Sequence, residues 1–190
     1  MPRRKARKKK LVRSFWRGLN LILAGILLLA LSLLWRVHNS NNLSFPTRNL
    51  AELEAQLKKG VKPVKITIPA VNLSLDVAEA VLVNGKWQVW EGKANHLATS
   101  ANPGGGGNIV IYGHNKNSVF GPIRWLTVGQ EVELTNEKGK TFSYKIDQTV
   151  EVEPSEISYV SAKNVELLTL YTCSGLFDTK RFIVIARLVK

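Results

Sequence analysis

The chain has 190 residues and a mass of 21.2 kDa, with 45% hydrophobic and 22% charged residues and a formal charge of +13. That much apolar material supports one folded domain and excludes a disordered polyelectrolyte. A single cysteine excludes an intrachain disulfide framework and a cysteine-built structural zinc site.

The charge is unevenly placed. Residues 1–48 hold 11 of the 27 Lys/Arg and none of the 14 Asp/Glu, so residues 49–190 carry 16 basic and 14 acidic side chains, a net of +2. The basicity therefore belongs to the N-terminus and says little about what the folded part binds. Nine Lys/Arg fall within the first 17 residues, and an uncharged run follows from Leu19 to Trp35. At ~1.5 Å per residue such a run spans about 26 Å, close to the thickness of a bilayer's hydrocarbon layer. Trp16 and Trp35 bracket it as interfacial aromatics do, and Arg17 and Arg36 can snorkel. The pattern predicts a cytoplasmic basic tail (1–18), a single transmembrane signal-anchor helix (19–35) with its N-terminus inside, and a polar linker (36–48) leading to an external domain (49–190). Cleavage as a signal peptide is disfavoured, because Trp35-Arg36-Val37-His38-Asn39 has no small-x-small site. A buried core helix is disfavoured by apolar side chains on every face. A nucleic-acid-binding tail is not needed to explain charges that topology already explains.

Asn49–Lys59 places Leu50, Leu53 and Leu57 at helical spacing between an N-cap Asn49 and a stop at Gly60, which predicts one short packing helix. From Val64 the pattern is β. Strands are predicted at Val64–Ile68, Ser74–Val77, Ala80–Val83, Trp87–Trp90, Asn108–Tyr112, Glu131–Thr135, Thr141–Val152, Glu166–Thr172 and Arg181–Leu188. Asn84-Gly85 marks a type I′ hairpin and Lys138-Gly139 a second hairpin. Asn108–Tyr112 and Phe182–Val189 are apolar on both faces, so they are expected as central strands. Many short strands behind one helix predict an all-β fold, a small closed barrel.

The residues able to do chemistry are few. Cys173 ends one apolar strand and Arg181 opens the next, with Ser174–Lys180 between them. Pairing of those strands would set Cys173 beside Arg181. His114 ends a third strand. A thiol must lose its proton to attack a carbonyl, and a nearby imidazole can take that proton and later hand one to a leaving amine. A guanidinium stays charged and can face the oxyanion that forms. The three together suit acyl transfer through a thioester. Each also has an ordinary reading: a cysteine as a small buried hydrophobe, a histidine as a satisfied loop residue, and Arg181 as the partner of Asp178 or Glu166. Spacing alone does not choose between these.

Thr169-Leu170-Tyr171-Thr172-Cys173 resembles the TLxTC signature of sortases, membrane-anchored cysteine transpeptidases of bacterial surfaces. Ile66-Thr67-Ile68-Pro69, Gly107–His114, Phe120 with Leu126–Val132, and Arg181–Val184 resemble further family segments in the family's order, over roughly residues 64–190. The resemblance implies a closed sortase-type barrel with Cys173 as nucleophile, His114 as general acid/base and Arg181 as oxyanion or substrate clamp. It implies cleavage of an LPxTG-like sorting signal between Thr and Gly and transfer of the acyl group to an amine, usually on a cell-wall precursor or a pilin. Implied partners are therefore sorting-signal proteins, an amine acceptor and membrane lipid, with no nucleic acid. Ser44-Phe45-Pro46 lacks the Asp of a pilus-type Asp-Pro-aromatic lid, and no second apolar run precedes Lys190, so a pilin-polymerising subgroup is disfavoured. Some relatives bind calcium through acidic residues in the segment matching 91–107. Glu91 is the one acidic residue there, so no metal or other cofactor is expected. Pro103–Gly107 lacks a P-loop's Lys-Ser/Thr and leads into a strand, so it reads as a turn, and His96 reads as structural. Pro154–Val165 is the segment expected to shape substrate choice. The alternative function is a membrane-tethered binding module on a degenerate barrel. An L,D-transpeptidase is disfavoured because its close-set S-H-G-C-like motif is lacking.

Overall fold

The computed structural model describes residues 16, 18–34, 43, 60–83 and 86–189. These fall into two units, one ending at Asn41 and one beginning at Asn42. In the first, residues 18–34 are helical, and the large apolar side chains from Leu21 to Leu34 are exposed. Among the described residues no helix is long and apolar enough to cross a membrane. The expected span, 19–35, runs to Trp35, which lies outside the described residues, as do the expected helix at 49–59 and the Asn84-Gly85 turn.

The described part of the second unit is built from ten strands: β1 (Pro63–Ile68), β2 (Leu73–Ala80), β3 (Leu82–Val83), β4 (Lys86–Trp87), β5 (Ala94–Leu97), β6 (Asn108–Tyr112), β7 (Glu131–Asn136), β8 (Thr141–Val152), β9 (Leu167–Ser174) and β10 (Lys180–Leu188). Eight close into a barrel in the order β1-β2-β5-β6-β9-β10-β8-β7, while β3 and β4 form a small antiparallel ribbon. The pairs β2/β5 and β6/β9 are parallel, and the other barrel pairs are antiparallel.

The all-β closed barrel agrees with the sequence, with three local corrections. The expected strands Ser74–Val77 and Ala80–Val83 are instead one strand running through Ala80 and a separate short strand at Leu82–Val83. Trp87–Trp90 is a strand only at its start, because Trp90 turns back: its indole Nε1 donates to the Glu79 carbonyl at 3.0 Å and its backbone N–H to Asn95 Oδ1 at 2.7 Å. Strand β5 was not anticipated, because Asn95 and His96 are polar yet fully buried. Both are satisfied locally, Asn95 by Trp90, Lys93 and Tyr112, and His96 by Ala101, Ser100 and Glu79.

Two apolar clusters explain why the central strands are apolar on both faces. Ile109, Ile111, Leu168, Leu170, Val184 and Ala186 point into the barrel with Ile66, Ile68 and Leu134. The intervening Val110, Tyr112, Tyr171, Cys173 and Ile183 form a second cluster on the outer face, with Trp87, Leu43 and Val160. There Tyr112 and Tyr171 stack at 5.3 Å, and Trp87 meets both edge-on. The alternation is the period of two that any strand imposes.

Candidate active site

The three sequence-predicted residues continue that outer-face series. Cys173 lies two residues after Tyr171, Arg181 two before Ile183, and His114 two after Tyr112, just past the end of β6. Because β6 runs parallel to β9, and β9 antiparallel to β10, all three sit at one rim. They belong to the outer surface at that rim, not to the barrel interior.

Cys173 and Arg181 are direct cross-strand partners in the register of β9 and β10. Both are buried, 3% and 4% exposed. Arg181 Nη1 donates to the carbonyls of Asp178 at 3.1 Å and Lys180 at 2.9 Å, which turns the guanidinium back over the connection between the strands. Asp178, one of the partners the sequence offered for Arg181, is thus met through its backbone carbonyl. Burial pushes the Cys173 thiol up to about 11, while the Arg181 guanidinium pulls it down and the Asp178 carboxylate pushes it further up.

Two hydrogen bonds bring the backbone of His114 to the same place. The Gly113 N–H donates to the Tyr171 carbonyl at 3.3 Å, and the Thr172 hydroxyl donates to the Gly113 carbonyl at 2.8 Å. The His114 carbonyl accepts from the Lys116 and Phe120 N–H groups, folding the following loop back on itself. Asn115 Nδ2 reaches Asp178 Oδ1 at 3.2 Å and ties that loop to the β9–β10 turn. Asp178 and Phe177 there have φ of 59° and 61°, the left-handed region that disfavours a side chain, so the turn is held by its neighbours. The imidazole itself bonds outward: Nε2 lies 3.3 Å from Glu91 Oε1, whose other oxygen accepts from Lys116 Nζ at 3.0 Å.

Sequence reasoning did not single out Thr172, Asn115 or Glu91 in these roles. Thr172 carried a signal, since it lies within the TLxTC motif; the other two are brought in by loops whose paths no periodicity reveals.

The remaining motifs have structural roles. Glu166 grips the Gly104 and Gly106 N–H groups, each at 3.1 Å, and accepts from the Tyr144 hydroxyl at 2.7 Å. The glycine-rich turn thus holds the chain's own carboxylate where a phosphate loop would hold its ligand. The segment expected to shape substrate choice is pinned where the Asn108 side chain donates to the Tyr159 and Ser161 carbonyls, both at 2.9 Å. Among the described residues, no three His, Cys, Asp or Glu side chains converge as metal donors.

Comparison with known proteins agrees with this architecture. The sortase domain model matches residues 66–189. A sortase A of Bacillus anthracis is 31% identical over 150 residues, covering 74% of this chain and 67% of that protein. A sortase D5 transpeptidase of Clostridium perfringens superimposes with a TM-score of 0.59 at 26% identity, over 68% of this chain and 79% of that one. The lid-mutant sortase A of Corynebacterium diphtheriae shares the fold, with a TM-score of 0.57 at 22% identity over 76% of this chain and 77% of that one. The matched residues and the relative's identity lead to one conclusion: the chain belongs to the sortase family.

Proposed function

We propose that this sortase is a membrane-tethered cysteine transpeptidase acting outside the cytoplasmic membrane. On this reading it cleaves an LPxTG-like sorting signal through a Cys173 thioester and passes the acyl group to an amine of a cell-wall precursor. The observation that carries the proposal is the pairing of Cys173 with Arg181 in register, beside a His114 backbone tied to the same strand.

The chemistry follows from those positions. The Cys173 thiolate adds to the scissile carbonyl carbon, and the Arg181 guanidinium faces the developing oxyanion. The C–N bond breaks, the leaving amine takes the proton carried by the His114 imidazolium, and a thioester remains. An incoming amine then attacks the thioester, the neutral imidazole takes its extra proton, and the thiolate departs to regenerate the enzyme. With the thiol held up to about 11, the resting sulfur at neutral pH is protonated, so the reactive thiolate–imidazolium pair is a minor population.

The anchor at 19–35 completes the reading. It is supported by the nine basic residues in the first 17 and by the exposed leucines of residues 21–34. Extraction of membranes at alkaline pH tests it: the protein should stay in the pellet, and release into the wash would remove the anchor.

The full chain in mild detergent, given an LPxTG-like peptide and a small amine, should yield the amide of the N-terminal fragment. Intact mass should show an acyl adduct that is lost in Cys173→Ala. Undiminished turnover in that variant would overturn the mechanism. A fold-intact wild type that binds the peptide without cleaving it would favour the degenerate binding module.

A further inference from the structure

Glu91 stands outside the trio the chemistry requires, yet it is the group the imidazole contacts. It lies in the segment between β4 and β5, where Trp90 is locked by bonds to the Glu79 carbonyl and the Asn95 side chain. That lock fixes the residue next to Glu91, so the carboxylate is presented from a held backbone. One oxygen meets His114 Nε2 at 3.3 Å and the other meets Lys116 Nζ at 3.0 Å. The carboxyl is held below the usual range by the Lys116 hydrogen bond first and by the His114 charge second.

We propose that Glu91 is a positioning residue for His114, holding the imidazole by Nε2, while Lys116 shares the same carboxylate. The inference rests on the catalytic reading of His114. Glu91, ahead of β5, meets the ring directly, and Lys116, on the ring's own loop, meets the other oxygen of the same carboxylate; Asp178 is tied to the neighbouring Asn115, and Arg181 pairs with Cys173 across β9 and β10. Of these, Glu91 and Lys116 can be changed without touching the thiol or the guanidinium.

The consequence is quantitative. Between the protonation midpoints of imidazole and thiol, the population with thiolate and imidazolium together depends on the difference between them. A carboxylate beside the ring raises that population by stabilising the charged imidazolium. Glu91 is 72% exposed, so the coupling belongs to the range of surface pairs, roughly 2- to 5-fold. Removing the charge should therefore lower the plateau of kcat/KM about 2- to 5-fold and move the acid limb of the profile down by the matching ~0.3–0.7 pH units.

The test compares wild type, Glu91→Gln and Lys116→Gln as full chains in mild detergent. One readout is the pH profile of kcat/KM. The other is the NMR titration of the ¹³C-labelled His114 ring, assigned by its absence from His114→Gln. Glu91→Gln should shift limb and NMR midpoint down together, and Lys116→Gln should shift both up. Near 1 M salt the difference between wild type and Glu91→Gln should shrink, because the screening length falls to ~3 Å. A plateau loss without a limb shift, an unmoved NMR midpoint, or shifts of the same sign in both variants would overturn the inference. The NMR arm needs no substrate, so a wild type that titrates as expected but cleaves nothing would fail the catalytic reading and leave the Glu91 contact standing.

Discussion

The Thr172 hydroxyl donates to the Gly113 carbonyl at 2.8 Å, and this bond joins the residue before Cys173 to the residue before His114. Thr172 is fully buried, so its hydroxyl competes with no water. The bond extends the parallel register of β6 and β9, which ends at Tyr112 and Tyr171, by one further residue. The Thr of the TLxTC motif thereby acts on the histidine strand while the Cys that follows faces the site.

Thr172→Val keeps the shape of the side chain and removes the donor, leaving a buried carbonyl short of a partner at a cost of ~1–3 kcal/mol. The larger effect should fall on turnover: once His114 is no longer registered against Cys173, kcat should drop roughly 10- to 100-fold. Thr172→Ser restores the hydroxyl and should recover most of that loss. Steady-state kinetics beside a denaturant melt decide it, and a Ser variant as slow as the Val variant would assign the defect to packing.

Ionisation of the thiol should answer to its two charged neighbours with opposite signs. Arg181 pulls the Cys173 value down, so Arg181→Gln should raise it and slow alkylation at fixed pH. Asp178 pushes it up, so Asp178→Asn should lower it and speed alkylation. Asn tolerates the left-handed φ of 59° and keeps an oxygen for Asn115. Each change should be roughly 3- to 10-fold in rate at pH 8, since one unit is a tenfold change in thiolate. The same raised value carries a stability consequence of definite sign. The folded state holds the thiol proton more tightly than the unfolded chain, so stability from this group is intact below about pH 9 and declines as pH rises towards about 11. Iodoacetamide labelling followed by mass across pH 6–10 reads the kinetic part, and equal rates in both variants would contradict the assignment.

How much of this was legible in advance depends on what each residue type reports. Asn108–Tyr112 and Thr141–Val152 were read to the residue, because apolar runs and turn residues bound them sharply. Cys173 and Arg181 were expected side by side on the condition that their strands pair as a hairpin, and β9 and β10 do pair in that register. Strand β5 was hidden, because Asn95 and His96 look like loop residues until their buried partners are seen. Glu91 was read as an isolated acid; its contact with His114 exists because Trp90 reverses the chain, and nothing in the local pattern marks that reversal.

Gly113 is glycine for reasons of space. A Cβ there would sit 3.0 Å from Phe120 Cγ and 3.0 Å from Val119 Cγ1, both on fully packed side chains. Gly113→Ala must move those side chains or tilt the end of β6, at a cost of about 1–3 kcal/mol. Because the next residue is His114, kcat should fall with stability. Phe120→Leu in the same chain opens room near the new methyl and should return part of both. A lowered melting midpoint with full activity would show that the histidine is held independently of this packing.

Glu166 offers a control in the same neighbourhood. Its carboxylate takes two backbone N–H bonds from the glycine-rich turn and one from Tyr144, so it closes that turn onto the start of β9. Glu166→Ala strands three donors, and the cost should be ~2–3 kcal/mol because the N–H groups regain water while the Tyr144 hydroxyl is part-buried. Glu166→Gln retains one accepting oxygen and should lose about half as much. The bonds lie seven residues from Cys173, away from the rim that holds Cys173 and Arg181, so kcat per folded molecule should stay at the wild-type value in both. Urea midpoints with active-site titration separate the two quantities. A fall in kcat at full folding would mean that the rim is set from the glycine turn as well.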